Sequence, residues 1–168
     1  MILLTDGSVD TQTKIGYGAY LAIFTTDFSL SELNLETSVS KLKNQVKLKR
    51  FEQTSSTTLE LQTLLWALGE IQTSGRQVKV YTDSQNIIAL PGRRSRLEQN
   101  NYRSNKNILL KNSALYRQFY QLSEHFDCQF IKIPGHQPTT QKDIIAKLFG
   151  LVDKASRKAL RKDLSRYA

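Results

Sequence analysis

The hydrophobic pattern of this chain switches between a period of two and a period near 3.6, and the switches mark its elements. Residues 1–5 (MILLT) form an apolar run that reads as a buried strand, followed by a polar turn over 6–15. Residues 16–25 (GYGAYLAIFT) read as a second strand, with Gly16 and Gly18 admitting a close backbone approach; the two strands pair as a hairpin. Residues 26–43 carry Leu30, Leu33 and Leu35 among Ser, Asn and Glu, fit neither period, and read as an extension or insertion. Residues 45–51 alternate Val46, Leu48 and Arg50 with Lys47, Lys49 and Phe51, the pattern of an edge strand with its lysines toward solvent.

The clearest helix spans 57–73, where Leu61, Leu64, Leu65, Leu68 and Ile71 recur at helical spacing, Ser56 or Thr57 can cap, and Gly75 ends the run. Residues 77–81 read as a strand, 84–90 as a short helix stopped by Pro91, and 92–111 as a polar, basic tract. A helix over 112–126 carries Leu115, Phe119 and Leu122; a strand follows at 129–133 and a loop at 134–142. The chain closes on a basic helix over 142–164 whose expected buried stripe is Leu148, Val152, Ala155 and Ala159. The order βββαβααβα predicts an α/β fold: a five-stranded mixed sheet, antiparallel at the hairpin and parallel through βα crossovers, with helices on both faces. No repeat, linker or heptad pattern divides the 168 residues, so one domain is expected over 1–168.

Composition narrows the functional classes. Apolar residues make up 39% and charged residues 23%, which describes a folded domain rather than a disordered one. No apolar stretch approaches the roughly 18 residues a membrane span requires, and the N-terminus lacks the features of a signal peptide. Cys128 is the single cysteine, so a disulfide within the chain and a cysteine-based zinc site are excluded. A cytoplasmic location is the simplest expectation, with no membrane partner. Lys and Arg number 24 against 15 Asp and Glu, a net charge of +9 that favours a polyanion, nucleic acid before membrane surface, although solubility alone is the bland explanation.

The candidate chemistry lies in the acids. Thr5-Asp6-Gly7 and Thr82-Asp83-Ser84 each end a strand pattern, and parallel neighbouring strands would bring the two carboxylates side by side. Each has an ordinary alternative: an Asp-Gly turn for Asp6 and a helix N-cap for Asp83. Glu60 stands in the first turn of the long helix, where Thr57-Thr58-Leu59-Glu60 also has the form of a capping box. Asp153 stands beside Val152 on the last helix, where a solvated pair with Arg157 is the alternative. His136 follows a strand in Pro-Gly-His and could be an ordinary loop histidine; His125 reads as structural.

Taken in order, Thr-Asp-Gly-Ser at 5–8, Leu-Glu-Leu at 59–61, Tyr-Thr-Asp-Ser-Gln at 81–85, Pro-Gly-His at 134–136 and Val-Asp at 152–153 resemble ribonuclease H of the cellular type 1 family, over nearly the whole chain. The resemblance implies the ribonuclease H-like fold. It also implies an endoribonuclease that cuts the RNA strand of RNA–DNA hybrids and leaves 5′-phosphate and 3′-hydroxyl ends. Asp6, Glu60, Asp83 and Asp153 match the family's four metal-binding carboxylates, holding two Mg²⁺ ions that Mn²⁺ could replace, and His136 matches its mobile histidine. The chain departs from the family in carrying Ser55-Ser56-Thr57-Thr58 where an asparagine is common, and in placing its one tryptophan, Trp66, on the long helix. The stretches 26–43 and 136–153 also look longer than the family's simplest form.

Crowded carboxylates repel unless cations neutralise them, and hard divalent ions take oxygen ligands, which is the chemistry the resemblance asks for. Ser8, Ser56, Thr57 and Gln85 are candidates for contacts to the 2′-hydroxyl that only RNA offers. Arg93, Arg94, Arg96 and Lys106, in a tract with Tyr102, are candidates for phosphate contacts, and Lys154, Arg157, Lys158, Arg161 and Lys162 give the last helix a second basic face. A monomer suffices for this chemistry. Rival readings are an exonuclease or transposase of the same fold, a hybrid- or duplex-RNA-binding module without activity, and a two-carboxylate glycosidase. The first strand lacks Asp-x-Glu and the last helix carries Asp153 rather than glutamate, which disfavours the nuclease rivals. Four intact acids disfavour the binding module, and the net charge disfavours the glycosidase.

Overall fold

The computed structural model of this chain describes residues 1–24, 35–71, 77–134 and 143–167. Its elements are β1 (Ile2–Asp10), β2 (Ile15–Ile23), α1 (Leu35–Lys43), β3 (Lys47–Phe51), α2 (Ser56–Glu70), β4 (Val78–Thr82), α3 (Gln85–Gln99), α4 (Ser113–His125), β5 (Cys128–Lys132) and α5 (Ile144–Leu164). The strands form one sheet in the order β3-β2-β1-β4-β5. β3, β2 and β1 are antiparallel neighbours, and β1, β4 and β5 are parallel.

Alternation along β1 sends its side chains to two cores. Leu3 packs with Val78, Val80, Leu61, Leu64, Leu68, Ile87, Leu90 and Phe119 on the face covered by α2, α3 and α4. Ile2 and Leu4 pack with Leu21, Ile23, Leu148, Phe149 and Val152 on the face covered by α5. Helix α2 lies almost on the backbone of the hairpin. A Cβ on Gly18 would overlap Thr63 of α2, and one on Gly7 would stand 2.9 Å from the Leu59 side chain. Glycine is therefore required by proximity at these two positions.

Four local expectations change. The turn expected over 6–15 is mostly strand: β1 runs on through Asp6 to Asp10, and Asp6 pairs with Ala19. The turn itself is confined to the next four residues, where the Asp10 carboxylate accepts from Thr13 N (2.8 Å) and Thr13 Oγ1 (2.6 Å). The Asp-Gly turn is thus excluded as the reason for Asp6. Second, part of the unreadable stretch is helix α1, which leans Val39 and Leu42 on the α5-side core; residues 25–34 lie outside the described residues.

Third, Pro91 does not stop α3, which continues eight residues beyond it to Gln99. The buried side chains of Leu90 and Leu97 anchor both halves, and the Tyr120 hydroxyl donates to the Leu90 carbonyl at 2.7 Å, so packing outweighs the proline. The tract expected over 92–111 is therefore helix in its first part. Its Tyr102 is a buried core residue. Fourth, the buried stripe of α5 is Leu148, Val152, Ser156, Leu160 and Asp163 in place of one through Ala155 and Ala159. No helix among the described residues is long and apolar enough to cross a membrane.

Candidate active site

Asp6 stands in the middle of the central strand, on the face that meets α5, because Leu4, Asp6 and Ser8 share one side of β1. The parallel register pairs Leu4 with Tyr81, and carrying it two residues further sets Asp6 level with Asp83, the first residue past β4. Asp83 does not cap α3. Ser84 does, accepting from Ile87 N at 3.2 Å, which removes the capping explanation for the aspartate.

Helix α5 is fastened to β1 by a pair of hydroxyls. Ser8 Oγ and Ser156 Oγ are 3.0 Å apart, and Ser156, fully buried, donates back to the Asp153 carbonyl at 3.0 Å. That bolt presents Asp153 to Asp6, near enough that the neighbouring acid disfavours charge on Asp6. The Asp6 carboxyl is pushed up to about 8, first by burial, then by the charge of Asp83, and further by Asp153; the Gly7 N–H works against the shift. The solvated pair considered for Asp153 also exists, with Arg157 Nε 2.8 Å from its Oδ1. Asp153 therefore has Asp6 on one side and a guanidinium on the other.

Glu60 arrives from the opposite face. The N-cap of α2 is Ser55, which accepts from Thr58 N, so Glu60 takes no part in the capping box its sequence suggests. Instead Ser84 Oγ donates to Glu60 Oε2 at 2.5 Å. Burial raises the Glu60 carboxyl, the Ser84 hydroxyl opposes this, and the Asp83 charge adds to it. The order around the end of the sheet is Glu60, Asp83, Asp6, Asp153. Among the described residues no group of three or more His, Cys, Asp or Glu side chains is disposed to hold a metal ion as it stands. The donor set nevertheless fits a hard divalent cation: every donor is a carboxylate oxygen, and the raised Asp6 carboxyl marks a position where positive charge is favoured.

The remaining candidates are spread more widely. His136 lies outside the described residues. Ser8 is engaged by Ser156. Ser56 and Thr57 are exposed in the first turn of α2, and Gln85, at the start of α3, accepts from Lys132 Nζ at 2.7 Å. Arg93 lies over the Tyr116 ring and donates to Asn86 at 3.3 Å. Arg94 pairs with Glu98 at 2.8 Å and with Glu124, and covers Tyr120. Arg96 and Lys106 are exposed. Three residues escaped the reading from sequence: Ser84, Ser156 and Asn112, the last accepting from Thr58 Oγ1 at 3.1 Å where the starts of α2 and α4 meet. Of these only Ser84 carried a local signal, as the small polar residue opening a helix.

A central strand carrying a carboxylate mid-length, between an antiparallel hairpin and two parallel strands, defines the ribonuclease H-like fold. Residues 1–149 match the RNase H family. The chain belongs to that family, and with it is a nuclease, a hydrolase of nucleic-acid backbones. In structure it is similar to the solution structure of the PFV RNase H domain (18% identity, TM-score 0.67, covering 94% of this chain and 92% of that one). It is also similar to foamy viral protease-reverse transcriptase in complex with dsDNA (14% identity, TM-score 0.60, covering 92% of each chain). The same viral protein in complex with an RNA/DNA hybrid matches at 16% identity and TM-score 0.66, over 94% of this chain and 19% of that one. No curated protein matches in sequence. Asp153 falls beyond the matched residues, so its place beside Asp6 is a finding of the fold.

Proposed function

We propose that this protein hydrolyses the RNA strand of RNA–DNA hybrids, leaving 5′-phosphate and 3′-hydroxyl ends, with Asp6, Glu60, Asp83 and Asp153 as the metal-binding set. One observation supports this above others: Asp6 is largely buried beside Asp83 and Asp153, an arrangement that disfavours its charge and that a bound cation would offset. Two Mg²⁺ ions, or Mn²⁺, when bound there would supply an activated water and stabilise the leaving oxygen. In this reading the chain's own groups do the rest. Asp6 loses its proton as the cation binds, Ser84 holds the Glu60 carboxylate in one orientation, and the Ser8–Ser156 bolt keeps Asp153 at the sheet. His136 moves a proton at the leaving group.

Ser56, Thr57 and Gln85, at the starts of α2 and α3 beside these acids, would contact the hybrid, with Arg93, Arg96 and Lys106 on its phosphates. Ser8 and Arg94 belong to the substrate surface only if they leave their present partners. The solved complex of a foamy viral protein with an RNA/DNA hybrid, whose fold this chain shares over 94% of its length, supports the substrate class. The test is incubation of the protein with labelled hybrid, duplex DNA and duplex RNA, with Mg²⁺ or with chelator. Loss of the RNA strand of the hybrid alone, and only with metal, is expected; survival of that strand in Mg²⁺ refutes the proposal.

A further inference from the structure

Apart from Arg157, which pairs with Asp153, the outer face of α5 takes no part in the carboxylate site. After Asp153 every exposed residue of this helix is a cation: Lys154, Arg157, Lys158, Arg161 and Lys162, with Arg166 following just past its end. These six are a quarter of the chain's 24 Lys and Arg. At about 100° per residue they fall within one half of the helix circumference. That half is centred opposite the stripe of Val152, Ser156, Leu160 and Asp163 buried on the sheet. The ion pairs of α5 among the described residues are two: Asp153 with Arg157, and Asp163 with Arg50 Nε at 2.7 Å. The second lies beneath the helix and leaves the outer face cationic.

The stripe also has a direction. It starts beside Asp153, which touches Asp6, and runs about 18 Å along the helix to Arg166, taking about 1.5 Å per residue. A duplex rises about 3.4 Å per base pair, so the stripe matches the backbone of about five base pairs. It lies beyond residues 1–149, where the family match ends. A membrane surface fits it poorly, because the apolar side of α5 is spent on the sheet, and among the described residues the one large ring exposed near its cations, Tyr167, lies past the end of the helix.

Resting on the hybrid as substrate, we infer that this face is a second phosphate track, which binds duplex flanking the cut on the side away from α3 and lengthens the footprint. The partner is recognised through its backbone alone, so duplex DNA of the same length binds the track as well. The experiment is fluorescence anisotropy of the full chain in Ca²⁺ or chelator, to prevent cutting, on a 24-base-pair hybrid, an 8-base-pair hybrid and 24-base-pair DNA, over a salt series (about 8 base pairs leave too little duplex to cover both the cut and the stripe, and about 24 cover both). The triple variant K158Q/R161Q/K162Q is compared with wild type. On both long duplexes the slope of log affinity against log salt should fall by about 2.7, at about 0.9 for each phosphate left without its cation, and on the short hybrid by less than about 1. Equal slopes for variant and wild type on the long duplexes overturn the inference. So does binding of anionic vesicles tighter than either long duplex with the same residue dependence. In wild type, the long duplexes should also protect Lys158 and Lys162 from acetylation; unprotected lysines overturn the inference without any substitution. If the hybrid is never cut yet the slopes differ, the proposed hydrolysis fails and the phosphate track stands.

Discussion

Replacing Asp6 by asparagine reads the carboxylate cluster through stability, independently of any assay of cutting. In the unfolded chain Asp6 ionises near its ordinary 3.8; in the folded chain it ionises at about 8. Between those values the folded protein holds one more proton than the unfolded one, so rising pH favours unfolding. The stabilisation is fully present below pH 3.8 and is lost as pH climbs through about 8. At about 1.36 kcal/mol per pH unit, wild type should lose at most about 2.7 kcal/mol between pH 5 and 7 through this group. For a chain of this size that is about 5–11 °C in Tm. Asp6→Asn cannot ionise and should lack this slope. Glu60, also raised, contributes in the same sense to both proteins and cancels in the comparison. Asp10 and Asp163 are lowered and act only at more acid pH. The assay is thermal unfolding in chelator from pH 5 to 8, followed by circular dichroism. The Tm of wild type should fall relative to the variant as pH rises, and Mg²⁺ should recover wild type but not the variant. Parallel Tm profiles would show that the acids around Asp6 do not carry the strain assigned to them.

Three further outcomes follow from the packing. Gly18→Ala drives a Cβ into Thr63 and should cost about 1–3 kcal/mol in a urea melt; an unchanged midpoint would mean that α2 shifts freely off the hairpin. Pro91→Ala supplies the missing amide inside a helix that is already formed, and should stabilise by up to about 3 kcal/mol, a gain that vanishes if the pyrrolidine ring itself is needed against α4. Arg96→Glu should raise KM for hybrid with little change in Tm. Arg94→Glu, which sets a third carboxylate among Glu98 and Glu124, should lower Tm; identical behaviour of the two would remove the distinction between them.

What could be read from sequence alone was whatever depends on local period and residue type. The five strands, the long leucine-rich helix, the lysine-bearing edge strand and the close approach at Gly16 and Gly18 are written in alternation, spacing and size. So is the family, since five short motifs in the right order are improbable by chance. The errors are equally local in origin. The Asp-Gly pair suggested a turn because isolated propensity favours one, whereas nine paired residues with β2 hold the strand straight through it. Pro91 suggested a stop because a proline in solution is one, whereas Leu90, Leu97 and Tyr120 hold the helix through it.

Only the tertiary structure could decide the state of the acids. Sequence placed carboxylates at 6, 60, 83 and 153, but each had a local explanation as good as a catalytic one. Two of the caps went to their neighbours, Ser55 and Ser84, and Ser84 turned its hydroxyl to Glu60. Ser156, silent in sequence, fixed α5 to Ser8 and brought Asp153 against Asp6 from the far end of the chain. The physical reason is that a carboxyl's charge depends on what is within a few ångströms of it in space, and burial and neighbouring charge are properties of the packed sheet end that no single stretch of chain contains.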